Sequence, residues 1–408
     1  MSTQARSVPF LDVLDPEFDF DSAEVAAARE RNWYADSPMG PMVLRHREAE
    51  DLLHDHRFKL GGAAFMEFHG IADGPLYDWW TRALMSLDPP DHARLRGLLN
   101  KAFTPRVVEG LRPFTRATAD RLAARIGDSG ECEFVSAFSD PLPALVMCEL
   151  LGVPPGDYPE FHRWTADIGL AFSRADLTGA RLSRVNAAVA AMIEYIGGLI
   201  TARRQSPGAD VLTAMIAAQE GGDSMSFEEL HNLALLLVWA GQDTTARQLG
   251  RALVAFAAHP DQWNLLAHRP DLLPQAVEEV CRWSPQARVT WRYALRDVEY
   301  QGLRIPAGTQ VTSCNVPANR DPRAFADPDR FDITVTRRSR QLAFGGGVYY
   351  CLGTSLARLE LAEALAALTS RFGPPTITGP ITWRPPMAVI HGPDVLPLRF
   401  PPRAEPGT

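Results

Sequence analysis

The sequence predicts a mainly α-helical protein with small β sheets. Three observations predict it. Apolar residues recur at helical spacing through most of residues 105–295, as in VNAAVAAMIEYIGGLITARR and LLPQAVEEVCRW. Strand-like alternation is confined to short stretches near the N-terminal end and after Arg288. One helical pattern is long enough to cross an entire globular protein.

In chain order, the opening MSTQARSVPFLDVLDPEFDFD is polar and acidic and does not read as a signal peptide. Pro89 and Pro90 open a helix that carries His92 and Arg96 on one face. In SFEEL, Ser226 and Glu229 form a capping box, and the apolar pattern that follows runs to His259, just before Pro260. That span is about 33 residues, or roughly 50 Å at the helical rise. Its middle reads AGQDTT, a polar insertion that a buried helix does not need for packing. After Arg288, RDVEYQGLRIPAGTQVTSC alternates between turn signals at Gly302 and at Pro306 to Gly308. PITWRPPMAVIHGPDVLPLRF reads as a further short hairpin. With no repeat, low-complexity tract or shift in composition, one domain over 1–408 is expected, with 1–20 and 402–408 as candidate flexible ends.

The 408 residues are 46% hydrophobic and 22% charged, ordinary values for a globular protein. A net charge of −8 argues against a nucleic-acid partner. No uninterrupted apolar run reaches the length of a membrane span, so no membrane partner is expected. Five cysteines, at 132, 148, 281, 314 and 351, form neither an even set nor a C-x-x-C pair. They read as reduced thiols in a cytoplasmic protein.

The segment LAFGGGVYYCLGTSLARLE, residues 342–360, carries the chemistry. Three glycines precede Cys351 and a helix starts just after it. Glycine lets the backbone turn closely around a bulky group, and a helix N-terminus favours thiolate over thiol. Such a thiolate suits a soft, redox-active iron; a buried structural cysteine beside a flexible loop is the other reading of these residues alone.

The spacing F-x-x-G-x-x-x-C-x-G over Phe344, Gly347, Cys351 and Gly353 resembles the haem-binding loop of the cytochrome P450 family, and the likeness covers about residues 30 to 400. The resemblance implies a P450 fold with haem b between the long central helix and the cysteine-loop helix. It implies Cys351 as the iron ligand, with Phe344, Gly345, Tyr349 and Gly353 around the cofactor. It implies that Ala240 and Gly241 make room for O2, and that Asp243 and Thr244 relay the protons that O–O cleavage consumes in a site closed to water. Glu279 and Arg282 resemble the family's E-x-x-R pair, with Arg330 in Pro328-Asp-Arg-Phe331 matching the arginine that completes a buried structural network. His92 and Arg96 match the H-x-x-x-R propionate clamp, and Arg292 matches a third propionate donor. One position departs from the pattern: Tyr349 stands where the family usually has His or Arg, so that propionate contact has a donor without a positive charge.

No G-x-G-x-x-G follows a strand, so electrons are expected from a ferredoxin and an NAD(P)H-dependent ferredoxin reductase. Arg94, Arg96, Lys101 and Arg106, with no acid between Ala93 and Val108, predict a basic docking face. By position, the resemblance places Leu236, Trp239 and Ala240, then Arg288, Val289 and Thr290, then Val389 and Ile390 at the substrate. Phe65, Phe68, Trp79 and Trp80 are further candidates, each with core packing as the alternative. Trp239 predicts a planar or aromatic small molecule, and Arg288 with Thr290 a polar end for a carboxylate or carbonyl. The function expected is a ferredoxin-dependent monooxygenase acting on a secondary metabolite. A peroxide-using haem oxidase and a non-catalytic haem gas sensor are the other two readings.

Overall fold

The computed structural model describes residues 8–127, 129–173, 177–220 and 225–403. Residues 1–7 and 404–408 of the two predicted flexible ends lie outside these, as does the side chain of Phe68. The remainder of the N-terminal end is tied down: Leu11, Val13 and Phe20 are buried, and Phe10 bridges Asp36.

Helices dominate, as predicted. The central helix spans Phe227–Ala258, and its capping box is formed, with the Glu229 N–H donating to Ser226 Oγ at 3.1 Å and the Ser226 N–H to Glu229 Oε2 at 2.7 Å. It is buried on most sides, including Gln242, Asp243, Thr245, Arg247, Gln248 and Arg251. Such polar groups are tolerated only when paired. A clamp helix (Pro89–Ala102), a network helix (Leu273–Trp283) and a cysteine helix (Thr354–Arg371) surround it. The helix Gly179–Gln205 is apolar and long enough by composition to cross a membrane. It packs along the helix Tyr158–Ser173 and the central helix, burying Val185, Val189, Met192, Ile196 and Ile200, which accounts for its composition.

The main sheet has five short strands in the order Tyr34–Ala35, Met42–Val43, Gln310–Cys314, Val289–Ala294, Phe58–Lys59. Val289–Ala294 and Gln310–Cys314 run antiparallel with Trp291 opposite Thr312 and Tyr293 opposite Gln310. The predicted alternation at 298–305 is a hairpin of its own. The last predicted hairpin forms between Thr382–Trp383 and Pro393–Val395, and Pro397–Arg399 then joins a separate sheet with Glu131–Glu133 and Thr376–Ile377.

The glycine run before Cys351 has two steric reasons. Gly345 (φ +70°) and Gly347 (φ +63°) lie in the left-handed region that side chains disfavour. A Cβ on Gly347 would also stand 2.4 Å from the Leu53 carbonyl oxygen, so the helix His46–His54 packs directly on this turn.

Candidate active site

A cavity of about 340 Å³ lies between the central helix and the cysteine loop. Cys351 opens onto it; the Cys351 N–H donates to the Phe344 carbonyl at 3.0 Å, which closes the loop. Burial pushes the Cys351 thiol up, while the Thr354 hydroxyl, the Gly353 N–H, Arg96 and Arg358 pull it down. The helix start thus supplies donors, as predicted, without overcoming desolvation by itself. The other four cysteines do not line this space.

His92, Arg96, Arg292 and Tyr349 form the polar edge of the cavity. Arg96 donates to the Tyr350 carbonyl at 2.7 Å and Arg292 to the Trp291 carbonyl at 3.0 Å. The Tyr349 ring lies between two of these groups, its centroid 4.5 Å from the His92 ring and 5.1 Å from the Arg292 guanidinium carbon. Burial, with Arg96 and Arg292 adding to it, pushes His92 down to about 4, so its imidazole is neutral near pH 7. Burial pushes the Tyr349 phenol up against the pull of Arg292 and keeps it a proton donor. Among the described residues, buried Arg292 Nη2 has no hydrogen-bond partner, and buried Tyr349 Oη has only the Leu60 backbone nearby, too poorly placed to form a full hydrogen bond. A buried guanidinium N–H and a buried phenol short of full hydrogen bonds are costly, and an anionic group at the cavity edge satisfies both. Haem, with two propionates and an iron that takes a thiolate, fits this donor set.

Ala240, Gly241 and Thr244 line the opposite wall with Leu236 and Trp239. The Thr244 hydroxyl donates to the Ala240 carbonyl at 2.6 Å, which leaves its oxygen free to accept a hydrogen bond from the cavity side. Gly241 has a packing role the sequence did not show: a Cβ there would meet Met147 Sδ at 2.4 Å. Val289, Thr290, Val389 and Ile390 complete the predicted wall, with Trp80 from the preceding segment. Trp239 is both wall and core, its ring 4.2 Å from Phe172 and 5.8 Å from Trp80. Trp79 is fully buried behind them.

Several expectations are corrected. Asp243 does not line the cavity. Its carboxylate is held by Arg384 at 2.7 and 2.9 Å and by Arg247 at 3.2 Å. Burial would raise it, but the two arginines win and hold it below the usual carboxylate range. Neither arginine was singled out in the sequence; Arg247 was legible as an i, i+4 partner, whereas Arg384 comes from the remote hairpin. Arg288 also turns away. It precedes the strand, so the alternation that would pair it with Thr290 does not apply; its guanidinium sits over Phe20 at 4.7 Å, beside Asp19 and Asp21. Arg330 is not the third network arginine. Its side chain is 67% exposed and pairs with Asp332. Arg337, from the loop beyond, holds Glu279 at 2.9 Å through both Nε and Nη2, beside Arg282 at 2.8 Å. Arg330 contributes its carbonyl, which accepts from Arg282 at 3.0 Å and from Arg337 at 3.5 Å. On the predicted basic face, Arg94 is engaged by Glu229 and Asp91, and Arg96 belongs to the cavity.

A cysteine beside helix-start donors, at a cavity edged by a guanidinium N–H and a phenol without full hydrogen bonds, fits a haem-thiolate site. The sequence profile described as cytochrome P450 matches residues 261–379. Luteothin monooxygenase of Streptomyces thioluteus is 46% identical over 98% of this chain and 99% of its own. Mycinamicin IV hydroxylase/epoxidase of Micromonospora griseorubida is 36% identical over 91% and 92%. The structure of CYP109Q5 from Chondromyces apiculatus superposes with a TM-score of 0.86 at 31% identity, covering 97% of this chain and 99% of that one. The chain belongs to the cytochrome P450 family. It is a P450 monooxygenase of the secondary-metabolite type, an oxidoreductase with a haem iron cofactor.

Proposed function

We propose that this P450 binds haem b on Cys351, takes electrons from a ferredoxin, and oxidises an uncharged, planar or aromatic secondary metabolite. The observation that carries the reading is the cavity itself. It joins Cys351, the Arg96–Arg292–Tyr349 edge, Thr244 and the Trp239 wall in one space, and its charged lining residues lie at the propionate edge. Haem bound there supplies the O2 activation and oxygen transfer. The chain's own residues do the rest. His92, Arg96, Arg292 and Tyr349 hold the propionates. Thr244 accepts and passes a proton at Oγ1. Asp243 acts from outside the cavity, as an anchor for the helix turn that carries Thr244. Trp80 and Trp239 exclude water and offer flat surfaces to the substrate.

With Arg288 turned away, no lysine or arginine among the described residues lines the distal wall, so the expected polar end reduces to Thr290, which accepts a hydrogen bond from Asn315 at 3.1 Å. The likeness to luteothin monooxygenase supports luteothin and compounds like it as first candidates. For ferredoxin, the support is narrower than the sequence suggested. It rests on exposed Lys101 and Arg106; the nearby Arg112 and Arg116 are engaged, like Arg94, by acids, Arg112 by Glu109 and Glu363 and Arg116 by Glu363.

The test is a spectral titration of the ferric protein with luteothin, followed by turnover with ferredoxin, ferredoxin reductase and NADPH. A substrate-type Soret shift and a product one oxygen heavier are expected. Product formed equally well from peroxide alone would move the reading to the peroxide-using class, and binding without product would move it to a sensor. Cys351→Ser should lose the strongly red-shifted Soret band of the reduced CO complex.

A further inference from the structure

One charged pair beside the cysteine loop lies outside the cavity. Arg358 stands on the second turn of the cysteine helix, and its Nε donates to Glu278 Oε1 of the network helix. Gln341, at the entry to the loop, steadies that carboxylate with a bond from Nε2 to Glu278 Oε2 at 3.3 Å, and its own Oε1 accepts the Ala343 N–H at 2.7 Å. The two charged side chains are 38% and 44% exposed, and an ion pair this open to solvent is worth little to the fold.

What the pair does is bring a cation to the loop. The Arg358 guanidinium carbon lies 4.9 Å from the Phe344 ring centroid, a cation–π contact. The Phe344 carbonyl accepts the Cys351 N–H at 3.0 Å, so the ring under Arg358 and the sulfur ligand are two ends of one closed loop. The charge of Arg358 is felt at Cys351, and the Tyr350 phenol lies beside the same guanidinium. Phe344, Tyr350 and Cys351 line the cavity, whereas Arg358 and Glu278 do not. The pair therefore acts on the iron site through the loop and through charge, not as a haem contact.

We infer that Arg358 and Glu278 set the reduction potential of the bound iron, Arg358 as a cation that raises it and Glu278 as a carboxylate that holds it back. The inference deepens the monooxygenase reading and rests on its assignment of Cys351 as the iron ligand. Apart from its propionates, a ferric porphyrin with a thiolate ligand carries no net charge, and the electron it accepts from its donor makes it an anion. A cation held beside the sulfur stabilises that reduced form, and a carboxylate beside the cation opposes it. Both are tuning residues: they touch neither substrate nor reacting atoms, and they decide how readily the iron takes its electron.

The test is a spectroelectrochemical titration of the haem-loaded protein, parent against Glu278→Gln, Arg358→Gln and Arg358→Lys. Both Gln substitutions break the same ion pair, yet they change the charge in opposite directions. Glu278→Gln should raise the potential and Arg358→Gln should lower it, each by about threefold or more in the ratio of reduced to oxidised haem at a fixed potential, or about 30 mV for one electron. Arg358→Lys keeps the charge and should shift by less than half as much as Arg358→Gln. Shifts of the same sign in the two Gln variants, or no shift, make the pair a structural brace and overturn the inference. If Arg358→Gln binds too little haem to titrate, Glu278→Gln decides alone, and a potential at or below that of the parent overturns it. If the reduced CO complex of the parent lacks the red-shifted Soret band, the Cys351 assignment itself fails and the tuning pair falls with it; with the band present, unshifted potentials sink the tuning pair alone.

Discussion

Two buried carboxylates, Glu279 and Asp243, are built on the same plan and serve different ends. Each has one arginine on its own helix, Arg282 at i+3 and Arg247 at i+4, and one from a remote loop, Arg337 and Arg384. The Glu279 network is closed on itself. Its carboxylate is the acid shared by both arginines, and their other bonds go to backbone carbonyls of Asn319, Pro328, Arg330 and Ala326. Glu279 also accepts the Asp332 N–H at 3.0 Å, which fixes the segment leading toward the cysteine loop. The Asp243 network is open. Arg384 keeps Asp394 at 2.8 Å, and Arg247 keeps Asp140, so neither arginine depends on Asp243 alone. The difference teaches that the same ion pair can brace a loop or brace a reacting helix turn, and that redundancy decides how much one carboxylate matters.

The largest expected effect falls where redundancy is missing. Glu279→Gln leaves Arg282 and Arg337 buried without a carboxylate and should cost about 3–5 kcal/mol, with low haem occupancy. Denaturant unfolding and the haem-to-protein ratio measure it, and a loss no larger than that of Asp243→Asn would break the comparison. Arg337→Ala should cost about 2–3 kcal/mol, since Glu279 keeps Arg282. Asp243→Asn should cost less, about 1–2 kcal/mol, because both arginines retain an acid. Its main signature should be functional: less product per NADPH, as in Thr244→Ala, whose haem content and stability should match the parent.

Asp243 also carries a pH signature. Its folded value is depressed by Arg384 and Arg247 against the opposing effect of burial. A depressed carboxylate contributes stability above its unfolded value and loses it as pH falls through the folded value. Between about pH 5 and about pH 3 the parent should therefore lose more stability than Asp243→Asn. The smallest expected effect sharpens the assignment of the third arginine: Arg330→Ala should stay within about 0.5 kcal/mol of the parent, as an exposed side chain does. A loss matching that of Arg337→Ala would restore Arg330 to the network.

By itself the sequence determined the local chemistry. The placement of Cys351 after a glycine turn, the Ser226–Glu229 box, and the pairs His92–Arg96 and Glu279–Arg282 all follow from spacing along one short stretch, because helix geometry fixes what lies three or four residues away. The polar insertion in the central helix was likewise legible, since a buried helix rarely carries it without function. Only the tertiary structure decided the remote partners. Arg337 rather than Arg330 reaches Glu279, Arg384 turns Asp243 away from the cavity, and Asp19 and Asp21 draw Arg288 out of it. Loops have no period, so nothing in the order of residues says which way such a side chain leaves the backbone.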